Sequence, residues 1–170
     1  MKTKVKYLNI FIAITIIVLF NSCTKKEPPT GDHTFSCYIN GELFVPKGNG
    51  NLSSTSPVDD GLSFIKYETY IQVKATDYKK YNVMFNIVNW NEGSFSLSAS
   101  DGSYYNHTIN HAMVGIRKTG KWYLSKDNSG TVTFTKADLN GDTKGTFEFT
   151  LYNENDPTDI IHVTNGKFDD

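Results

Sequence analysis

The residues of this chain that could bind a metal are a pair of histidines and a short acidic loop. His107 and His111 are the closest of the four histidines. On one strand they would lie roughly 13 Å apart, too far to share a zinc ion bound at about 2 Å, unless a loop between them closed the gap. The loop DLNGD at 138–142 carries three oxygen-bearing side chains, but its glycine comes too early for a calcium-binding loop. Neither pattern predicts a metal or another cofactor, and we interpret 138–142 as a hairpin connection.

Carboxylate pairs or nucleophile motifs would be the mark of a hydrolase. The motifs G-x-S-x-G, H-E-x-x-H and paired C-x-x-C do not occur in the sequence. Glycoside hydrolases need two carboxylates about 5–10 Å apart. The acids that could supply them are Asp59, Asp60, Glu68, Asp77 and Glu148. Because the sequence does not bring any two of these together, we predict a protein that is not an enzyme, with a glycan-processing enzyme as the alternative.

Aromatic side chains are the better candidates for ligand binding. Exposed aromatic rings stack on sugar rings, and the polar tips of Tyr and Trp form hydrogen bonds. The candidate ligand-binding residues lie near predicted strand ends and are Trp90, Tyr104, Tyr105, Trp122 and Tyr123. The alternative for each ring is that it covers the rim of the core. The sequence therefore predicts a binding module for a glycan or small ligand, or else a module for a protein partner.

The N-terminus has the pattern of a bacterial lipoprotein signal. A basic start at 1–6 is followed by an apolar run of 14 residues at 7–20 and then by Asn21-Ser22-Cys23. A transmembrane helix needs about 20 apolar residues, so we predict a cleaved signal peptide over 1–22. Ser22-Cys23 resembles a relaxed lipobox, in which the cysteine is acylated and becomes the mature N-terminus. We therefore expect a palmitate-type lipid on Cys23 that anchors the protein in a membrane.

The residues after Cys23 predict a short tether and a location in the cell envelope. Residues 24–32 (TKKEPPTGD) are polar and contain prolines, which suits an unfolded tether over 23–32 ahead of one domain over 33–170. The charged Lys25-Lys26-Glu27 loosely resembles the export signals of surface lipoproteins in the phylum Bacteroidota. We expect an outer-membrane anchor, and the sequence leaves open whether the domain faces the periplasm or the cell surface.

Charge and cysteine content argue against a nucleic-acid-binding protein and against a disulfide-bonded domain. Once residues 1–22 are removed, 14 basic and 18 acidic side chains remain, a net charge of −4. Without a basic cluster, nucleic acid is not a predicted partner. The only cysteines are Cys23 and Cys37, so a lipid on the first leaves no disulfide. Cys37 alternates with Phe35 and Ile39, which indicates a small buried side chain.

Apolar alternation predicts the elements that must position all of these residues. Between 129 and 168 the chain alternates as three antiparallel strands, which place Val132, Phe134, Phe147, Phe149, Leu151, Ile161 and Val163 on the buried face. The opposite face carries Thr131, Thr133, Thr135, Thr146, Glu148 and Thr150. Asn40-Gly41 predicts a type I′ hairpin, 46–61 a polar loop, and 104–109 a weak strand. The total of ten to twelve short strands predicts an all-β antiparallel sandwich, with an up-and-down, lipocalin-like barrel as the alternative.

The C-terminal strand poses a problem of parity. If Ile161 and Val163 point inward, simple alternation leaves Phe168 in water. An extra residue at Asn165-Gly166, using the freedom of glycine at positive φ, would turn Phe168 toward the core. We therefore predict a β-bulge there, with residues beyond Phe168 adding little stability.

Three blocks of the sequence together resemble a family of small, uncharacterised lipoproteins of Bacteroidota. They are F-x-C-x-I-N-G-x-x-F at 35–44, SGTVTFTK at 129–136, and GTFEF at 145–149 with VTNGKF at 163–168. The domain of that family is of unknown function, and Trp often stands where this chain has Phe44. The resemblance covers both ends of the mature domain and little between 48 and 121. It implies an all-β domain on a lipid anchor and no catalytic residues.

Overall fold

The computed structural model describes residues 28–48 and 61–170, and within these ranges it contains eleven strands and no helix. The strands are β1 (Thr34–Ile39), β2 (Glu42–Phe44), β3 (Leu62–Lys66), β4 (Tyr70–Thr76), β5 (Tyr81–Val88), β6 (Gly93–Ser96), β7 (His111–Ile116), β8 (Lys121–Leu124), β9 (Gly130–Ala137), β10 (Thr143–Asn153) and β11 (Ile160–Asp169). The predicted all-β class with ten to twelve short strands is confirmed. The predicted signal peptide, Cys23 and residues 24–27 of the tether lie outside the described residues, as does most of the polar loop at 46–61.

All eleven strands belong to one antiparallel sheet that curls over on itself. Strand β10 is the junction, because one of its edges pairs with β11 and the other is shared between β9 and β8. The first wing has the order β6-β9-β10-β11-β1-β2, and the second wing has the order β8-β7-β5-β4-β3. The wings face each other across the core, where the ring of Phe85 lies 5.4 Å from that of Phe147 and 5.5 Å from that of Phe168. The result is two sandwich-like layers joined along β10.

The core consists of the inward residues of both wings, and it confirms the predicted in/out division of the three C-terminal strands. All seven apolar residues predicted to face inward on β9, β10 and β11 are at most 3% exposed. Cys37 is fully buried and free, as predicted from its alternation with Phe35 and Ile39. Asn40 and Gly41 have φ of 50° and 81° and join β1 to β2, which confirms the predicted hairpin.

The predicted β-bulge near the C-terminus is present, but its geometry differs from the expectation. Phe147 pairs with Gly166 and Phe149 with Val163, so one extra residue lies on β11, and Phe168 is 3% exposed. The residue at positive φ is Asn165 (φ 51°), and Gly166 has an ordinary φ. Asparagine tolerates this conformation better than most residues. Gly166 is instead required for space, because a Cβ atom there would lie 2.4 Å from the ring of Phe147.

One expectation about a link between strands is wrong. Residues 104–109 form no strand, because they belong to a long connection between β6 and β7 whose carbonyls bind side chains of the sheet. At the C-terminus, the backbone of Asp170 exchanges two hydrogen bonds with Thr143, and its carboxylate lies 2.7 Å from Lys66. Within the described ranges, no helix is long and apolar enough to cross a membrane.

Candidate functional site

The structure brings two of the five aromatic candidates together. Tyr104 and Trp122 are half-buried, and their ring centroids lie 5.3 Å apart at 90°. Trp122 lies flat against Gly115 on the neighbouring strand, where a Cβ atom would be 2.6 Å from the indole ring. Lys74 extends its ammonium to 5.8 Å from the centre of the Tyr104 ring. With neighbours on these sides, the pair covers the sheet and offers no wide ring face for stacking.

The other three candidates are dispersed. Tyr123 is 3% exposed, so it is a core residue and is removed as a ligand-binding candidate; its hydroxyl donates to Oδ2 of Asp159 at 3.0 Å. The indole N–H of Trp90 donates to the carbonyl of Tyr67 at 2.7 Å. Tyr105 is 84% exposed. The five residues predicted from the sequence therefore do not form one platform.

One ring stack was missed by the sequence analysis. His107 stacks on Tyr70 with centroids 4.0 Å apart, and Tyr70 lies 4.9 Å from Tyr67, which is 55% exposed. Tyr67 and Tyr70 flank the β3–β4 turn, so a hairpin predicted at this position would also have predicted that the two rings lie close together. His107 comes from the connection after β6, and its place in the stack depends on the tertiary fold.

The potential metal-binding patterns lie in separate structural settings. His111 is fully buried at the start of β7, whereas His107 lies in the stack. The loop at 138–142 joins β9 to β10, as predicted, and the Asp138 carboxylate accepts a hydrogen bond from the backbone N–H of Asn140. Among residues 28–48 and 61–170, no three His, Cys, Asp or Glu side chains are grouped so that they could hold a metal ion.

A groove lies on the outer face of the first wing. Its volume is about 600 Å³, and β10 forms its floor between β9 and β11. The side chains and backbone that line it come from Asn128–Gly130, Thr131, Thr133, 146–150 and 162–167. Strand geometry makes this floor roughly 14 Å long and roughly 10 Å wide. We call this surface the polar groove.

Hydroxyl groups dominate the polar groove. Thr133 faces Thr146 across the β9–β10 pairing, Thr131 faces Glu148, and Thr150 faces His162 on β11. Thr150 Oγ1 lies 3.3 Å from Nδ1 of His162. The bulge on β11 places both Thr164 and Asn165 opposite Glu148, and both are exposed. The bulge thus widens the row of polar side chains at the centre of the floor.

Two charged side chains of the polar groove have no partner within the described residues. Glu148 on β10 and Lys167 on β11 are exposed, and neither makes a hydrogen bond or an ion pair with another described residue. Hydroxyls can donate and accept, a carboxylate accepts, and an ammonium donates. The groove therefore offers both kinds of hydrogen-bonding group to a ligand, with opposite charges on neighbouring strands.

The remaining acids do not form a catalytic pair in this groove. Glu148 is the one carboxylate among the described residues that line it. Asp77 lies elsewhere and accepts hydrogen bonds from the backbone N–H groups of Lys79, Lys80 and Tyr81. Its partial burial alone would raise the pKa, but these donors outweigh it and lower the pKa of Asp77. Asp77 therefore caps a turn as a carboxylate.

Comparisons with known proteins give no further guide to the site. No protein-family profile, curated protein or solved structure matches this chain.

Proposed function

We propose that this chain is a non-catalytic lipoprotein of the bacterial cell envelope whose β domain binds a polyhydroxylated ligand, such as a glycan, in the polar groove. The lipid on Cys23 would hold it in the outer membrane, and 24–32 would be the tether. The basic start, the apolar run at 7–20 and Ser22-Cys23 support this location. The observation that carries the binding proposal is a groove of about 600 Å³ with six hydroxyl side chains in its lining, in which Glu148 and Lys167 have no side-chain partner among the described residues.

The chemistry of the polar groove favours a glycan over an apolar ligand. Pockets for apolar ligands are lined mainly by hydrophobic and aromatic side chains, and here those side chains point into the core on the other face of the same strands. A diol can donate both of its hydrogens to one carboxylate, so Glu148 can anchor a sugar at the centre of the floor. The surrounding threonines can then exchange hydrogen bonds with neighbouring hydroxyls.

The binding proposal is tested by screening the full chain, in detergent micelles, on an array of oligosaccharides. A bound oligosaccharide should lose affinity in Thr131→Val and in Glu148→Gln, by roughly threefold to thirtyfold for each hydrogen bond removed. Thr135→Val is the matched control, because Thr135 is an exposed threonine of β9 that lies outside the groove. Equal loss in Thr131→Val and Thr135→Val, or no binding by the parent, would contradict the proposal.

The anchor is tested separately in cells. Cys23→Ala should abolish incorporation of a fatty-acid analogue and release the chain from the membrane fraction, because it removes the only thiol that a lipobox would acylate. Cys37→Ala is the control and should leave labelling unchanged, since Cys37 is buried in the core. Labelling that survives Cys23→Ala would refute the lipoprotein assignment without affecting the binding proposal.

A further inference from the structure

The connection from β6 to β7 covers the outer face of the second wing. We call residues 98–110 of this connection the flap. The sheet residues beneath it face away from the main core, yet they are at most 2% exposed: Gln72, Met84, Asn86, His111 and Met113. They lie on β4, β5 and β7 in register, with Gln72 opposite Asn86 and Asn86 opposite His111. The flap therefore seals a second buried layer.

Polar side chains hold the flap on the sheet. Nε2 of Gln72 donates to the carbonyl of Tyr104 at 2.8 Å, and Nδ2 of Asn86 donates to the carbonyl of Ile109 at 2.9 Å. Oγ of Ser125 donates to the carbonyl of Ser98 at 2.8 Å. Such contacts contribute little net stability, because water replaces them when the flap opens. A loop held in this way can open without unfolding the main core.

His111 lies at the centre of this buried layer. Its Nδ1 lies 2.9 Å from Oγ of Ser100 on the flap. The Ser100 hydroxyl already accepts the backbone N–H of Gly102, so it can donate its own hydrogen to Nδ1. The neutral imidazole then carries its hydrogen on Nε2. A buried, neutral histidine is thus part of the closed state.

The closed layer also contains two polar atoms without a hydrogen bond. Oδ1 of Asn86 and Nε2 of His111 are buried and make no hydrogen bond of standard geometry with another described residue, and their residues lie directly opposite each other on β5 and β7. An acceptor and a donor left unpaired away from water destabilise the closed state. Opening the flap hydrates both atoms.

We propose that protonation of His111 releases the flap and exposes the Met84–Met113 face of the sheet at acidic pH. In the closed state the pKa of His111 is lowered, chiefly because burial keeps water from the charged ring. In the open state the ring is in water and has an ordinary pKa of about 6.5. The open form therefore binds more protons than the closed form at pH below about 6.5, and acid shifts the equilibrium toward it.

The charged groups around His111 modulate this response. Two of these groups, Asp101 and His107, belong to the flap itself. The others contact the flap from outside it: Lys74 on β4, Arg117 after β7 and Asp127 before β9. Asp101 and the carbonyl of Asn106 favour the charged ring, whereas His107 opposes it. The facing side chains on β5, β7 and β8 are uncharged, namely Asn86, Met113 and Leu124. Burial outweighs Asp101, since the net shift of the pKa is downward.

The test is amide hydrogen exchange of the full chain in detergent micelles between pH 7.5 and 5, corrected for the chemical exchange rate. Amides that the flap protects are those of Ser98 and Ser100, and the reference amides lie on β10 and β11. We expect the opening constant of the flap to rise up to tenfold per pH unit below about 6.5. The flap should also exchange faster than β10 and β11 at every pH.

Variants assign the response to one ring. His111→Gln cannot be protonated and should flatten the pH dependence, whereas His107→Gln should retain it. Flap protection that ignores pH, or a response that persists in His111→Gln, would overturn the proposal. Equal opening free energies for the flap amides and the β10 amides would also overturn the proposal, because exchange would then require global unfolding. If His111→Gln does not fold, imidazole NMR of the parent decides: a His111 ring that titrates while the flap stays protected contradicts release.

Discussion

At the scale of single residues, the first wing is built on phenylalanines that face glycines. Phe168 pairs with Gly145, Phe147 with Gly166, and Phe149 with Gly130. In each pair, a Cβ atom added to the glycine would lie 2.9 Å or less from an atom of the phenylalanine ring. The ring therefore occupies the space that a side chain would need. Large rings over glycines recover the packing that a missing side chain would lose. This arrangement places the aromatic core directly behind the floor of the polar groove.

Gly166→Ala tests this packing most simply, because the three nearest atoms to its added methyl all belong to the Phe147 ring. We expect it to lower the free energy of unfolding by about 1–3 kcal/mol through overpacking, measured by urea denaturation. The double variant Gly166→Ala, Phe147→Leu should lose less than the sum of the two single changes, since the smaller side chain frees space. Additive losses would show that the ring and the glycine are not in conflict.

At the scale of elements, strict alternation was enough to predict β9, β10 and β11 and both of their faces. The bulge could also be predicted, because Phe168 is apolar at a position where simple alternation would expose it. The geometry of the bulge could not be predicted from the sequence. Only the structure shows that Gly166 leaves space for the ring of Phe147 and that Asn165 adopts the positive φ. Residues 104–109 misled the prediction because their carbonyls bind Gln72 and Asn86, partners far away in the sequence.

The C-terminal strand gives a prediction at the same scale. Phe168→Ala should lower the free energy of unfolding by about 3–5 kcal/mol, because Phe168 is 3% exposed and its ring contacts Phe85, Phe134 and Phe147. Deleting Asp169 and Asp170 should cost less, about 1–2 kcal/mol, since it removes two backbone hydrogen bonds and partly exposed ion pairs. A Phe168→Ala variant with the urea midpoint of the parent would contradict the burial that the bulge creates.

At the scale of the whole molecule, the curled sheet separates two surfaces. The polar groove lies on the outer face of the first wing, and the flap covers the outer face of the second wing. Local patterns predicted the threonine face of β9 and β10, but the groove also needs β11 beside β10 and an uncovered outer face. Those conditions depend on strand order, which the sequence left open. The aromatic candidates failed as a platform for a similar reason, because Tyr123 faces the core that both wings share.

The most direct test of ligand binding in the polar groove is to map the binding surface by backbone NMR. The full chain in detergent micelles would be titrated with the oligosaccharide that it binds most strongly on the array. We predict that the amide shifts that change cluster at 128–133, 146–150 and 162–167, and that Thr131→Val weakens the changes while Thr135→Val does not. Shifts confined to the flap, or to the ring stack of Tyr67, Tyr70 and His107, would contradict the polar groove as the site.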